Sequence, residues 1–451
     1  MQPHGHPVDA LVAEIGSTTT VVSAFEGLAD WPATEPKLIG QGVAPTSVAQ
    51  GDVGIGVDAA RAELEAAAGR LDPAITLATS SAAGGLRMTV HGLTQKMTAM
   101  AAREAALGAG GVVEYQTAGR LRDADLRRID EVTPGLILLA GGVEGGDLET
   151  VLFNARQLAG LEARPIVIYG GNSVVRDEAR ETLEHAGFKV KVTSNVYPSV
   201  DELDILPARA VIHDAFEEHI VHAPGMERIG EYVTGSILPT PGAVLLTAEK
   251  LAEAVGDLVV VDVGGATTDV HSVTDGSTEF AAIASGPEPH SKRTVEGDLG
   301  TFVSARHVAE LMPASEQPEQ LPPAVPATPQ EIRSAIALAR MAAVTAMERH
   351  AGRLVHLFTP QGRQTIAKGR DLTACRIVVG TGGALARLPG GESILEATLA
   401  RSGGGERLLP PPDARCVIDR DYVFACCGAL LGSFETAAVV ALALQSTGLR
   451  I

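Results

Sequence analysis

Two heptads in this chain carry residue types suited to holding a phosphate. The first reads Glu14-Ile15-Gly16-Ser17-Thr18-Thr19-Thr20, and the second reads Asp262-Val263-Gly264-Gly265-Ala266-Thr267-Thr268. By subtraction of residue numbers they lie 248 positions apart. A phosphate chain needs many short hydrogen bonds with no bulky side chain in the way. Glycine lets the backbone N–H groups of a tight turn converge, and Ser or Thr adds hydroxyl donors. A Mg²⁺ ion beside such a phosphate wants one or two carboxylates, often through water, because it dehydrates reluctantly. Glu14 and Asp262 occupy the same place in each heptad. A carboxylate beside a γ-phosphate also orients attacking water, and that role falls to Asp262.

The elements that must present these turns are short apolar strands. Leu11-Val12-Ala13 and Leu258-Val259-Val260-Val261 precede them, and Val21-Val22 and Val270 follow. The pattern is strand, glycine turn, strand. One such turn alone is an ordinary edge hairpin; the repetition points to a duplicated fold with a phosphate held between the copies. A third turn, Gly380-Thr381-Gly382-Gly383-Ala384, follows the strand expected at Arg376–Val379 and offers bare backbone to a base or ribose. It is not a G-x-x-x-x-G-K-[ST] loop, and no such loop occurs in the chain.

At 451 residues the chain calls for two or three domains. Aromatics make up only 3%, so the cores must be built from Ala, Val, Leu and Ile. A net charge of −19 argues against nucleic acid or anionic lipid held by bulk electrostatics. The N-terminus shows neither a basic nor an apolar leader region, and no apolar run nears the ~20 residues of a membrane span. Cys375, Cys416, Cys426 and Cys427 form no C-x-x-C pair, which predicts free thiols and a cytoplasmic protein. His4 and His6 read as bystanders near a polar terminus.

Along the chain, residues 8–30 predict a hairpin and Asp58–Gly69 a helix closed by glycine. A strand near Ile75–Ala78 leads into the small-residue run Thr79–Gly85, and a helix is expected over Leu93–Leu107. From about 130 to 225 the rhythm is strand–helix–strand, which predicts a βαβ unit and a parallel sheet. Asp147 is placed to cap the helix that follows it. Residues 313–329 hold six prolines and read as an irregular surface loop. A helix is expected from Pro329 or Gln330 to His350. One closing helix is expected over Cys426–Gln445, with Gly428, Ala429 and Gly432 letting it pack closely. Lys292–Asp298 reads as a dense polar turn, either against phosphate or partner or simply solvated.

The order of first phosphate turn, second phosphate turn and third turn resembles the actin/Hsp70/sugar-kinase ATPase superfamily. More narrowly, the chain is similar to the MutL-type accessory proteins of glutamate mutase, which are unrelated to the mismatch-repair protein of similar name. The resemblance runs through nearly the whole chain. It includes Ser80-Ser81-Ala82-Ala83-Gly84-Gly85-Leu86, Leu138-Leu139-Ala140-Gly141-Gly142, Asn195-Val196-Tyr197-Pro198 and Pro239-Thr240-Pro241-Gly242-Ala243-Val244. The most specific stretches are Val261–Val270 and Arg293-Thr294-Val295-Glu296-Gly297-Asp298-Leu299-Gly300.

The resemblance implies an α/β, two-lobed, duplicated RNase H-like fold with an inserted βαβ unit. The first half is expected at 1–255, with the insert at about 130–225, and the second half at 256–451. It implies ATP and Mg²⁺ as cofactors, with Gly16, Ser17, Thr18 and Thr19 and then Gly264, Gly265, Ala266 and Thr267 on the phosphates. Gly380, Thr381, Gly382 and Gly383 would face adenosine, Glu14 and Asp262 would serve the metal, and Asp262 would be catalytic. The implied function is an ATP-dependent reactivating chaperone that exchanges damaged for intact cofactor in an adenosylcobalamin-dependent mutase. The superfamily's first turn usually begins with Asp where this chain has Glu14, which fits a slow ATPase. Two alternatives stay open: a small-molecule kinase or hydantoinase/oxoprolinase-like amidohydrolase on the same fold, and a nucleotide-holding scaffold without turnover.

Overall fold

The computed structural model describes residues 5–82, 85–360, 362–400 and 405–450. His4 and the Ala83-Gly84 pair of the small-residue run lie outside them. The chain divides into two compact units. The first comprises 1–79, 231–236 and 243–451, and the second comprises 80–230 and 237–242.

The first unit is built on two related sheets. One runs in the order Lys37–Pro45, Thr19–Glu26, His6–Ile15 and Leu71–Ser80. The other runs Ser291–Glu296, Thr268–Val273, Leu258–Val263, Ile377–Thr381 and Arg415–Ile418. In each, a three-strand antiparallel meander is followed by a helix, and a later strand pairs with the first strand of the meander; in the second copy the separate hairpin Arg353–Thr359 and Gly362–Lys368 comes between. The helix is Val53–Ala68 in one copy and Pro329–His350 in the other. The second helix starts where the sequence predicts: Thr328 and Glu331 form a reciprocal capping box, with Pro329 in the first turn.

The central strands are buried on both faces, so they read as continuous apolar runs. Val259, Val261 and Val263 face a core shared with Leu338, Ala342, Ala346 and Leu395. Leu258 and Val260, pointing the other way, join Ala10, Val12, Phe25, Leu251, Phe424 and Leu442. That second core lies between the two sheets and ties the first strand of each into one unit. All four cysteines are free, three of them buried, so here they pack as small apolar side chains.

Three segments depart from expectation. The closing helix is two helices, Phe424–Leu430 and Thr436–Thr447. Gly428 is held against the backbone of Ala243, where a Cβ would come within 2.1 Å of its carbonyl oxygen; nothing approaches Gly432, which lies in the break. The 93–107 helix begins at Thr98, because the Thr98 hydroxyl accepts the N–H groups of Leu93 and Thr94 and holds them in a loop. The 292–298 segment is largely strand, Ser291–Glu296, rather than a turn.

The second unit is a parallel sheet ordered Gly111–Ala118, Leu86–Gly92, Leu136–Leu139, Ile166–Tyr169, Val190–Val192. It contains the expected strand–helix–strand segment together with residues 80–129. Asp147 accepts the N–H of Thr150 at 2.9 Å, tying down the first turn of the Glu149–Leu158 helix from one residue before the capping position, Leu148. Among the described residues no helix is long and apolar enough to cross a membrane.

Candidate functional site

The two glycine turns share one bonding pattern. Ile15 pairs with Thr20 and Val263 with Thr268, so each hairpin closes over four residues, Gly16–Thr19 and Gly264–Thr267. In each, the first glycine's N–H donates to the carbonyl of the fourth residue at 2.9 Å. A Cβ on Gly16 would stand 2.8 Å from the Thr19 oxygen, which is why that closure needs glycine.

In both copies, residues just beyond the third strand of the meander tie back the turn's carbonyls. Thr46 donates through its N–H to Thr18 and through its hydroxyl to Gly16. In the second copy, Thr301, Phe302 and Val303 donate N–H groups to Gly264 and Gly265, and Ser304 donates its hydroxyl to Ala266. With its acceptors occupied, the second turn has donors to offer. The amides of Gly265 and Ala266 meet no backbone acceptor among the described residues. The turns also adjoin, since a Cβ on Gly265 would lie 3.3 Å from the Thr18 methyl. This is a donor-rich nest suited to an anion.

The third turn abuts the second. Gly382, at φ +84°, sits so close to Asp262 that a Cβ would come within 2.3 Å of its Oδ1. Gly383 faces open space, whereas Gly380 faces the core side chains Ile418, Leu395 and Leu385. Thr381 turns its buried hydroxyl inward, donating to Asp419 at 2.8 Å.

Carboxylates converge behind the turns. Asp262 lies directly across the hairpin from Asp269. Burial, with Asp269, Glu14 and Asp419 nearby and only partly offset by Arg293, holds the Asp262 carboxyl well above the usual range. Burial likewise pushes Glu14 up to about 7, against the opposing hydrogen bond from Tyr422. Asp419 is also raised by burial, although Ser446, Thr381 and the N–H groups of Val423 and Phe424 all donate to it. Arg293, 1% exposed, donates to Asp269 at 2.6–2.7 Å. A cation bound among these crowded carboxyls would favour their charged form. Among the described residues no three His, Cys, Asp or Glu side chains form a metal cage by themselves, and the donor set suits an ion that keeps part of its water.

The sequence pattern points to both turns and both carboxylates, and the fold brings them together. It does not point to Asp269, Asp419 or Tyr422. Asp269 is within reach of sequence: a hairpin closing over Gly264–Thr267 must place Asp262 opposite Asp269. Asp419 and Tyr422 have no such local signal. Glu296 and Asp298 are held by Arg349 at 2.6 and 2.8 Å, so this stretch is anchored to the long helix rather than free in solvent.

A family profile described as MutL protein matches residues 10–445. The chain belongs to the MutL protein family. Protein MutL of Clostridium tetanomorphum is 37% identical to it over 388 residues, covering 80% of this chain and 84% of that protein. Among solved structures, a nucleotide-free acetone carboxylase aligns over 94% of this chain and 70% of its own, at 13% identity and a TM-score of 0.40. A glycerol dehydratase reactivase aligns over 94% and 99%, at 11% identity and 0.31. Both likenesses are too slight to bear on function.

Proposed function

We propose that this MutL-family chain is a slow, Mg²⁺-dependent ATPase that reactivates a cobalamin-dependent mutase by exchanging damaged cofactor for intact cofactor. The observation that carries the nucleotide reading is the pair of identically closed turns, their carbonyls tied back, with Glu14 and Asp262 at equivalent places. Gly16–Thr19 and Gly264–Thr267 would hold the phosphates, and Gly382 and Gly383 would lie against adenosine. Glu14 and Asp262 would hold Mg²⁺ through its water. Bound there, the ion would offset charge developing on the transferred phosphate. Asp262, raised in basicity by its surroundings, would orient and deprotonate the attacking water. The halves 1–255 and 256–451, one for each hairpin, would move on turnover. The client mutase comes from the family resemblance in the sequence, and the cytoplasmic location from its unpaired cysteines.

The test is ATP hydrolysis by the purified chain with Mg²⁺, with and without a cobalamin mutase carrying inactivated cofactor. Stimulation by the damaged holoenzyme with recovery of mutase activity supports the reading. Hydrolysis indifferent to the mutase points to a metabolite enzyme, and binding without hydrolysis to a scaffold.

A further inference from the structure

Tyr422 lies outside every sequence motif of the site, yet it reaches the first-turn carboxylate. Its hydroxyl donates to Glu14 Oε1 at 2.7 Å. The residue is held at φ +52°, a left-handed conformation that a side chain with a Cβ disfavours. Its N–H donates to the Asp419 carbonyl at 3.1 Å, and Gln41 and Arg387 add to its hold. Gln41 donates through Nε2 to the backbone oxygens of Asp421, at 3.0 Å, and Tyr422, at 3.4 Å. The Arg387 guanidinium carbon stands 5.2 Å from the centre of the Tyr422 ring, within cation–π range. Arg387 in turn ends the short helix Gly383–Ala386 that opens from the third glycine turn, its N–H donating to Gly383. A continuous line of contacts therefore runs from the third turn through Arg387 and Tyr422 to Glu14.

Glu14 differs from its counterpart Asp262 by one methylene and so has one more torsion to fix. We infer that Tyr422 is a positioning residue for Glu14: it fixes one carboxylate oxygen, leaving the other directed at the hydrated cation, and Arg387 links that grip to the third turn. Strained backbone at Tyr422 fits this role, because an ordinary packing tyrosine needs no left-handed conformation. The inference rests on the proposed Mg·ATP site and adds how a Glu serves in the first turn.

The experiment measures ATP binding calorimetrically, with MgCl₂ and separately with EDTA, for the full-length chain, Tyr422→Phe, Glu14→Ala and the double variant. Tyr422→Phe keeps the ring under Arg387 and removes only the hydroxyl. It is expected to weaken Mg²⁺-dependent affinity roughly tenfold, the effect of losing a hydrogen bond to a charged group, and to leave affinity in EDTA unchanged. In the Glu14→Ala background the same change is expected to cost nothing further. Arg387→Ala should reproduce a smaller part of the loss. Equal losses in MgCl₂ and EDTA, no loss at all, or losses that multiply in the double variant would each overturn the inference while leaving the nucleotide reading intact. Failure of the wild-type chain to bind ATP overturns that reading, and this inference with it.

Discussion

The Tyr422 hydroxyl meets Glu14 across 408 positions of sequence. That bond joins the segment after the last strand of one sheet to the glycine turn of the other. It makes the first-turn carboxylate part of a network that includes Arg387, Asp419 and Asp262. The chemistry of the site thus depends on how the whole first unit folds, not on its hairpins alone.

Asp262→Asn removes the carboxylate assigned to the attacking water and keeps its shape. Turnover should fall by ~100-fold or more, with ATP affinity little changed. Steady-state hydrolysis and equilibrium binding on the same preparation check this, and unchanged turnover would remove Asp262 from the role.

At Gly382 an added methyl has nowhere to go. It would meet Asp262 Oδ1 at 2.3 Å and the Val263 oxygen at 2.5 Å, from a backbone already at φ +84°. Gly382→Ala should cost about 1–3 kcal/mol in strain alone and weaken nucleotide binding by shifting the third turn. Gly383→Ala, with nothing within 4 Å, should do neither. Urea unfolding and ATP titration of both variants make the comparison.

Breaking the Arg293–Asp269 pair takes a carboxylate away from a buried guanidinium. Asp269→Ala should destabilise the protein by about 3–5 kcal/mol. Arg376→Ala severs a pair whose side chains are 66% and 78% exposed, and should cost under about 1 kcal/mol. Similar denaturation midpoints for the two variants would contradict the structural role given to Arg293.

In the second unit His91 is fully buried between the hydroxyls of Thr89 and Thr117. Burial pushes it down to about 4, with Asp125 partly opposing. The folded value lies below the unfolded value near 6.5. The stability held by neutral His91 is therefore full above pH 6.5 and is lost as pH falls through about 4, at up to about 1.4 kcal/mol per pH unit. The protection factors along Leu86–Gly92, taken against the intrinsic exchange rate at each pH, should fall over that window in the wild type and hold more nearly constant in His91→Gln.

Local chemistry is readable in the sequence. The turns declare themselves through glycine and threonine between apolar runs, and the Pro329–His350 helix through its capping box. Because the repeat is regular, the register of one hairpin foretells the other. The failures are contacts made at a distance. Gly428 and Gly432 look alike in sequence, but only Gly428 meets another backbone, and the helix breaks after it. Arg293 reads as one more charged residue in a polar stretch until Asp269 is found beside it on the neighbouring strand. No local pattern announces that Tyr422 will find Glu14.

Where the chain first leaves the first unit and where it first returns, it does so through neighbouring backbone. Thr234 and Gly235 both donate to the carbonyl of Thr76, and Ala78 donates to Ser236. Departure and return are thus stitched together like the two ends of a hem. The stretch 80–230 is attached as a graft whose stems are already joined. Evolution can lengthen, trim or exchange such a graft without redrawing the scaffold, and the hairpins remain fixed while it does.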